Sequence, residues 1–78
     1  MNVIYDSPNF YVAEYPREHG YELIDKHRAC GSFFQGDVAE RFASGLQEII
    51  AEENVSVERF EDFLGNFEVL MNQPMRFH

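Results

Sequence analysis

The hydrophobic pattern of this chain changes period once, near Gly36, and does not change back. Upstream, short runs rich in aromatic and β-branched residues alternate with turn-forming residues. Asn2 to Tyr5 and Phe10 to Tyr15 flank Ser7-Pro8-Asn9; Pro16 to Gly20 leads into Tyr21 to Lys26; and Ala29 to Ser32 precedes Phe33-Phe34. Aromatic and β-branched side chains suit a pleated, half-buried surface, and Pro followed by Asn at the centre of a turn favours a tight reversal. Four strands are therefore predicted, the first two as a hairpin with its tip at Pro8-Asn9. Strands first and helices after, without βαβ alternation, predict an α+β domain: an antiparallel sheet of about four strands with a C-terminal helical hairpin packed on one face.

Downstream of Gly36 the apolar residues recur three and four apart, the spacing of a single helix face. Val38, Phe42, Leu46, Ile49 and Ile50 form the first such stripe. Asp37 and Glu40 have the spacing of a capping box, with Gly36 supplying the turn before it. A second stripe runs through Val57, Phe60, Phe63, Leu64, Phe67, Leu70 and Met71. Ser56 is its expected N-cap, Val55 and Phe60 have the spacing of a hydrophobic staple, and Asn72 to Pro74 should end the run. The chain thus divides into a sheet region (1–36), two helices (37–71) and a C-terminal tail (72–78), all within one domain.

A hairpin tip at Pro8-Asn9 sets Tyr5 opposite Val12. Val3, Tyr5, Phe10 and Val12 are then expected on one face of the sheet and Ile4, Tyr11, Ala13 and Tyr15 on the other. Both faces are apolar, yet two helices cover only one. The set Ile4, Tyr11, Ala13 and Tyr15 is therefore the candidate interaction surface, because a contiguous exposed apolar patch marks an association site.

Composition narrows the class further. At 78 residues, 45% hydrophobic and 15% aromatic, the chain is rich enough in buried area to fold despite a formal net charge of -8. The single cysteine, Cys30, cannot close an intramolecular disulfide, and no N-terminal leader pattern or membrane-length apolar run occurs, so a cytoplasmic location is expected. Charge is uneven. Residues 1–36 carry five acids against three bases, whereas residues 37–78 carry nine against three. Nucleic-acid binding depends on Lys and Arg displacing counterions from phosphates, and six scattered bases facing fourteen acids argue against it. Glu40, Glu48, Glu52, Glu53, Glu58, Glu61, Asp62 and Glu68 are expected largely off the apolar stripes, with Glu58, Glu61 and Asp62 as a candidate acidic face for a basic partner.

No pattern of catalytic or metal-binding residues emerges. His27 and Cys30 have a spacing found in zinc sites, but a structural site needs four ligands, and neither His19 nor His78 supplies a matching pair. The pairs Glu48/Glu52 and Glu58/Asp62 stand four apart on helices, where like charges only repel weakly at a solvated face. Phosphate-binding loops, dinucleotide fingerprints, EF-hand loops and nucleophile elbows are missing from the sequence. No cofactor, metal or enzymatic activity is expected.

Taken in order, Tyr5-Asp6-Ser7-Pro8-Asn9, His19-Gly20-Tyr21-Glu22-Leu23-Ile24-Asp25-Lys26, Ala39-Glu40-Arg41-Phe42, Phe63-Leu64 and Leu70-Met71-Asn72-Gln73-Pro74 resemble an uncharacterised family of short beta-proteobacterial proteins, catalogued as a domain of unknown function. The resemblance spans nearly the whole chain and implies a bacterial cytoplasmic origin; it brings no activity, ligand or catalytic residue. The expected role is a non-enzymatic protein-interaction or homodimerisation module. The alternative is an acidic regulator that competes for a basic protein surface in the manner of a nucleic-acid mimic. Neither involves a membrane.

Overall fold

The structure is a computed structural model describing residues 1–71, with side chains through Val69. The predicted tail 72–78, its helix-ending Asn72 to Pro74, and the side chains of Leu70 and Met71 lie outside the described residues. Four strands, β1 (Asn2–Asp6), β2 (Phe10–Tyr15), β3 (Gly20–Asp25) and β4 (Cys30–Gln35), precede two helices, α1 (Gly36–Ile50) and α2 (Val57–Met71). The strands form an antiparallel meander in the order β1-β2-β3-β4. This is the predicted α+β architecture.

The pairing departs from the expected faces at one strand. Tyr5 stands opposite Val12, as the hairpin tip required, but Val3 pairs with Ala13, so β1 carries one extra residue at Ile4. A bulge of this kind shifts the alternation by one residue and moves what precedes it to the other face. Val3 therefore leaves the face it was assigned to and joins Ala13, where it is 52% exposed.

The β3–β4 turn also begins earlier than the residue pattern suggested. Asp25 is buried, and its Oδ1 accepts the backbone N–H groups of His27 and Arg28 at 3.0 and 3.1 Å, which closes the turn directly after β3. Cys30, Gly31 and Ser32, read as a break, are consequently strand residues paired with Asp25, Ile24 and Leu23.

Helix α1 starts at Gly36, whose φ of +67° is open to glycine at no steric cost and turns the chain out of β4. The capping box does not form: Gln35 occupies the cap position without a side-chain hydrogen bond, and Asp37 sits in the first turn, where its charge favours the helix dipole. The buried stripe of α1 is Ala39, Phe42, Leu46 and Ile49. Val38 and Ile50, expected in the core, are 38% and 62% exposed, because the helix is rotated to place Ala39 against the sheet. Helix α2 has the expected cap: Ser56 Oγ accepts the Arg59 N–H at 3.0 Å. Leu64 is fully buried, and Phe60, Phe63 and Phe67 pack around it, whereas Val57, at the helix start, is 65% exposed.

The core is aromatic and centred on Phe42, which is fully buried. Its ring lies 5.1 Å from both Tyr21 and Phe34, 5.6 Å from Phe63 and 4.9 Å from Phe67, so one side chain joins β3, β4 and both helices. Gly45, one turn further on, is required by the same packing: a Cβ there would come within 2.6 Å of the Phe63 ring. Phe42→Ala should cost about 3–5 kcal/mol, comparable to the whole stability of a domain of this size, while Ile50→Ala should change it by no more than about 0.5 kcal/mol. Urea unfolding of the two variants against the parent chain measures both.

Candidate interaction surface

Strand register assigns every sheet residue to a side. Tyr5, Phe10, Val12, Tyr21, Leu23, Cys30 and Phe34 face the helices. Val3, Tyr11, Ala13, Tyr15, Ile24 and Phe33 share the opposite, outer face. Three of the four residues proposed from sequence, Tyr11, Ala13 and Tyr15, are thus brought together in one strand on that face. Ile4, the extra residue of the bulge, is 37% exposed beside them.

Ala13 is nonetheless fully buried. It is the smallest residue in the middle of a four-stranded sheet, with Val3 and Glu22 beside it on the neighbouring strands and Tyr11 and Tyr15 along its own. It forms the floor of the surface. The contact layer is made by larger side chains, and sequence reasoning missed three of them: Val3, which it placed on the other face, Phe33 and Ile24. Phe33 is 49% exposed and meets the Tyr15 ring edge-on at 5.5 Å. It lies so close over Gly20 that a Cβ there would come within 2.7 Å of the ring. Ile24 lies against Gly31 in the same way, at 3.0 Å from an added Cβ. Adjacent Phe33 and Phe34 must point to opposite sides of a strand, so that pair was the available signal for an outward aromatic.

Charge on the outer face is sparse. Glu22 lies at its centre and accepts the Tyr15 hydroxyl at 2.9 Å; this bond, foremost, raises the phenol above its ordinary pKa. At the rim, Lys26 and Asp6 pair at 2.6 Å.

The proposed acidic face is divided by the fold. Glu58 and Asp62 are exposed on α2, but Glu61 turns toward the sheet and is half-buried. Its carboxylate accepts three hydrogen bonds from the β1–β2 hairpin: Tyr5 Oη at 2.7 Å, Ser7 Oγ at 2.6 Å and Asn9 Nδ2 at 2.7 Å. The Ser7 hydroxyl, foremost, and then the Tyr5 hydroxyl and the Asn9 amide, hold Glu61 below the ordinary carboxylate range against the opposing effect of desolvation. Asn9 Oδ1 in turn bonds the His27 ring and its backbone carbonyl accepts Lys26 N–H, joining the two hairpin turns.

Glu68, two helical turns along α2, is only 4% exposed rather than off the apolar stripe. It accepts Arg28 Nη1 at 3.4 Å on each oxygen and the Cys30 thiol at 3.5 Å, at the β3–β4 turn. Desolvation, and next Glu68, raise the Cys30 pKa, which keeps the thiol protonated and weakens it as a nucleophile. His27 and Cys30 therefore have different partners. Among the described residues no group of three His, Cys, Asp or Glu side chains is arranged to hold a metal ion, and no helix is long and apolar enough to cross a membrane.

With this geometry in hand, comparison with known proteins is informative about kinship. A family model described as a protein of unknown function, DUF3567, matches residues 1–78. The chain belongs to the DUF3567 family. A DUF3567-like relative in Burkholderia thailandensis, protein BTH_I0359, is 36% identical over 86 aligned positions that cover 100% of both chains. The beta-proteobacterial resemblance seen in the sequence is thereby confirmed, and the function of the family is unknown. No solved structure matches the DUF3567 chain.

The Glu61 cluster makes a pH-dependent contribution with a definite sign. Because its folded pKa is depressed, the stabilisation is complete above the ordinary glutamate value and is lost as pH falls through the lower folded value. Glu61→Gln should destabilise the fold by about 1–3 kcal/mol near neutrality, since an amide cannot accept from donors on both sides. The difference from the parent chain should shrink as the pH falls below the ordinary carboxylate range and the parent carboxylate itself becomes protonated. Urea unfolding of both proteins across that range checks it; a gap independent of pH would contradict the assignment.

Proposed function

We propose that this protein is a non-enzymatic interaction module of the bacterial cytoplasm that pairs with a second copy of itself through the outer face of its sheet. The observation that carries the reading is the strip of Val3, Tyr11, Tyr15, Ile24 and Phe33, apolar side chains on the sheet face that neither helix covers. Burying such side chains stabilises association by roughly 25 cal/mol per Å2 of apolar surface removed from water. Apart from Glu22, whose carboxylate accepts the Tyr15 hydroxyl, most of the charge lies off this face. The chain carries a net charge of -8, concentrated in the helical half, and the helices lie on the other side of the sheet. Two copies meeting at their outer faces keep their acidic helices apart, whereas approach through the helices would bring like charge together. The lone cysteine suits a reducing compartment.

A second reading, an acidic surface competing for a basic protein, is supported by the exposed carboxylates that remain after Glu61 and Glu68 are discounted. They include Glu58 and Asp62 on α2 and Asp37, Glu40 and Glu48 on α1. Ionic strength separates the two, because apolar pairing persists at high salt while exposed charges are screened within about 10 Å at 0.1 M.

Analytical ultracentrifugation should find the parent chain dimeric at hundreds of micromolar and still dimeric at high salt. Tyr11→Glu with Phe33→Glu should give a folded monomer, with dimerisation weakened at least about a hundredfold, since charges would be desolvated in an apolar interface. A parent chain that stays monomeric at those concentrations would rule out the homodimer.

A further inference from the structure

A separate concavity lies on the helical side of the sheet, at the end remote from the Glu61 and Glu68 contacts. It opens because α1 presents Ala39 and Ala43, one turn apart, to the β2–β3 end of the sheet, where larger side chains would have closed the gap. The cleft encloses about 310 Å3, near the lower limit for a small-ligand site and of a size to take one long side chain. Its walls are Glu14 from β2, Tyr21 from β3, Glu40 from α1 and the turn that ends in Gly20. Tyr21 is fixed by ring contacts with Phe34 at 6.2 Å and Phe42 at 5.1 Å. Glu14 stands directly across from Tyr21 in the β2–β3 pairing. Among the described residues no lysine or arginine lines the cleft, and His19, in the turn before Gly20, is its one basic side chain beside the carboxylates of Glu14 and Glu40.

A preformed apolar cleft with a fixed tyrosine ring and two carboxylates selects a cation on an apolar stem. We propose that it binds the guanidinium of an arginine side chain presented by a partner polypeptide, with the stem against Tyr21 and the alanines and the head paired with Glu14 and Glu40. A guanidinium is favoured over an ammonium because its planar fork matches carboxylate geometry and its face stacks on an aromatic ring, while it sheds water more readily. A neutral group would forgo the charge pairing, and an anion would be repelled by both carboxylates. Glu14 and Tyr21 lie on the opposite side of the sheet from Tyr11 and Phe33, and the cleft meets the outer face only at Tyr15, which borders both.

The test is an NMR titration of the full chain with N-acetyl-arginine N-methylamide. Saturable shifts are expected at Glu14, Tyr21 and Ala43, with the citrulline analogue, equal in shape but uncharged, binding at least about tenfold more weakly. Two variants attack the site differently: Ala43→Leu fills the cleft without altering charge, and Glu14→Gln with Glu40→Gln removes charge without altering shape. Each should weaken binding about tenfold or more. If Ala43→Leu does not fold, as judged by circular dichroism, the charge variant and the citrulline comparison decide the matter. Non-saturating shifts spread over the acids of both helices would overturn the proposal, as would unchanged binding to a folded Ala43→Leu. Equal affinity for the lysine analogue would overturn the choice of guanidinium.

Discussion

Phe42 is the contact on which the remaining architecture depends. A chain of this length has room for one core, and that core must hold a sheet and two helices without an intramolecular disulfide to assist it. A fully buried ring with four aromatic neighbours, Tyr21, Phe34, Phe63 and Phe67, joins β3, β4 and both helices at a single point. Aromatic rings bury more area per residue than aliphatic ones, so clustering them here compensates for the small number of core positions. The close approach of Phe63 to Gly45 follows from the same centre, because the two helices must come near enough for rings from α2 to reach Phe42.

What aromatic packing does not specify is the placement of α2 along the sheet, since apolar contacts are weakly directional. Two carboxylates supply direction. Glu61 and Glu68, seven residues apart and therefore on one side of the helix, each hold a turn at the same end of the sheet. Hydrogen bonds to a charged acceptor have definite geometry and leave costly unpaired groups when broken, so they define a position where oily contacts tolerate several. Acids that would otherwise add to the negative surface are thus part of the fold, and the exposed acidic field is smaller than the composition implies.

The outer face is the complement of this arrangement. One helical layer covers one side of a four-stranded sheet and leaves the other to solvent or to a partner. That side is built with some economy: Gly20 and Gly31 let Phe33 and Ile24 lie flat against the backbone, which hides part of each side chain while leaving a broad apolar surface. Its sparse charge contrasts with the helical side, where the cleft at Glu14, Tyr21 and Glu40 combines aromatic and acidic character. The two surfaces therefore differ in chemistry, one largely apolar, the other aromatic and acidic.

By itself the sequence determined the order of elements, the tip of the first hairpin, the Ser56 cap and the pairing of Tyr5 with Val12, and its ordered short strings already pointed to the family. All of these are local: turn chemistry, helical spacing and capping act over a few residues and leave a readable pattern. Tertiary structure decided what depends on residues distant in the chain. The extra residue at Ile4 transferred Val3 to the outer face, because a bulge is defined only against the partner strand. Rotation of α1 exposed Val38 and Ile50, which flank the buried stripe of Ala39, Phe42, Leu46 and Ile49, a choice made by packing against the sheet. The burial of Glu61 and Glu68 was the least legible feature. A glutamate on a helix looks solvated until the donors that satisfy it arrive, and here Tyr5, Ser7, Asn9, Arg28 and Cys30 come from strands and turns 38 to 56 residues away.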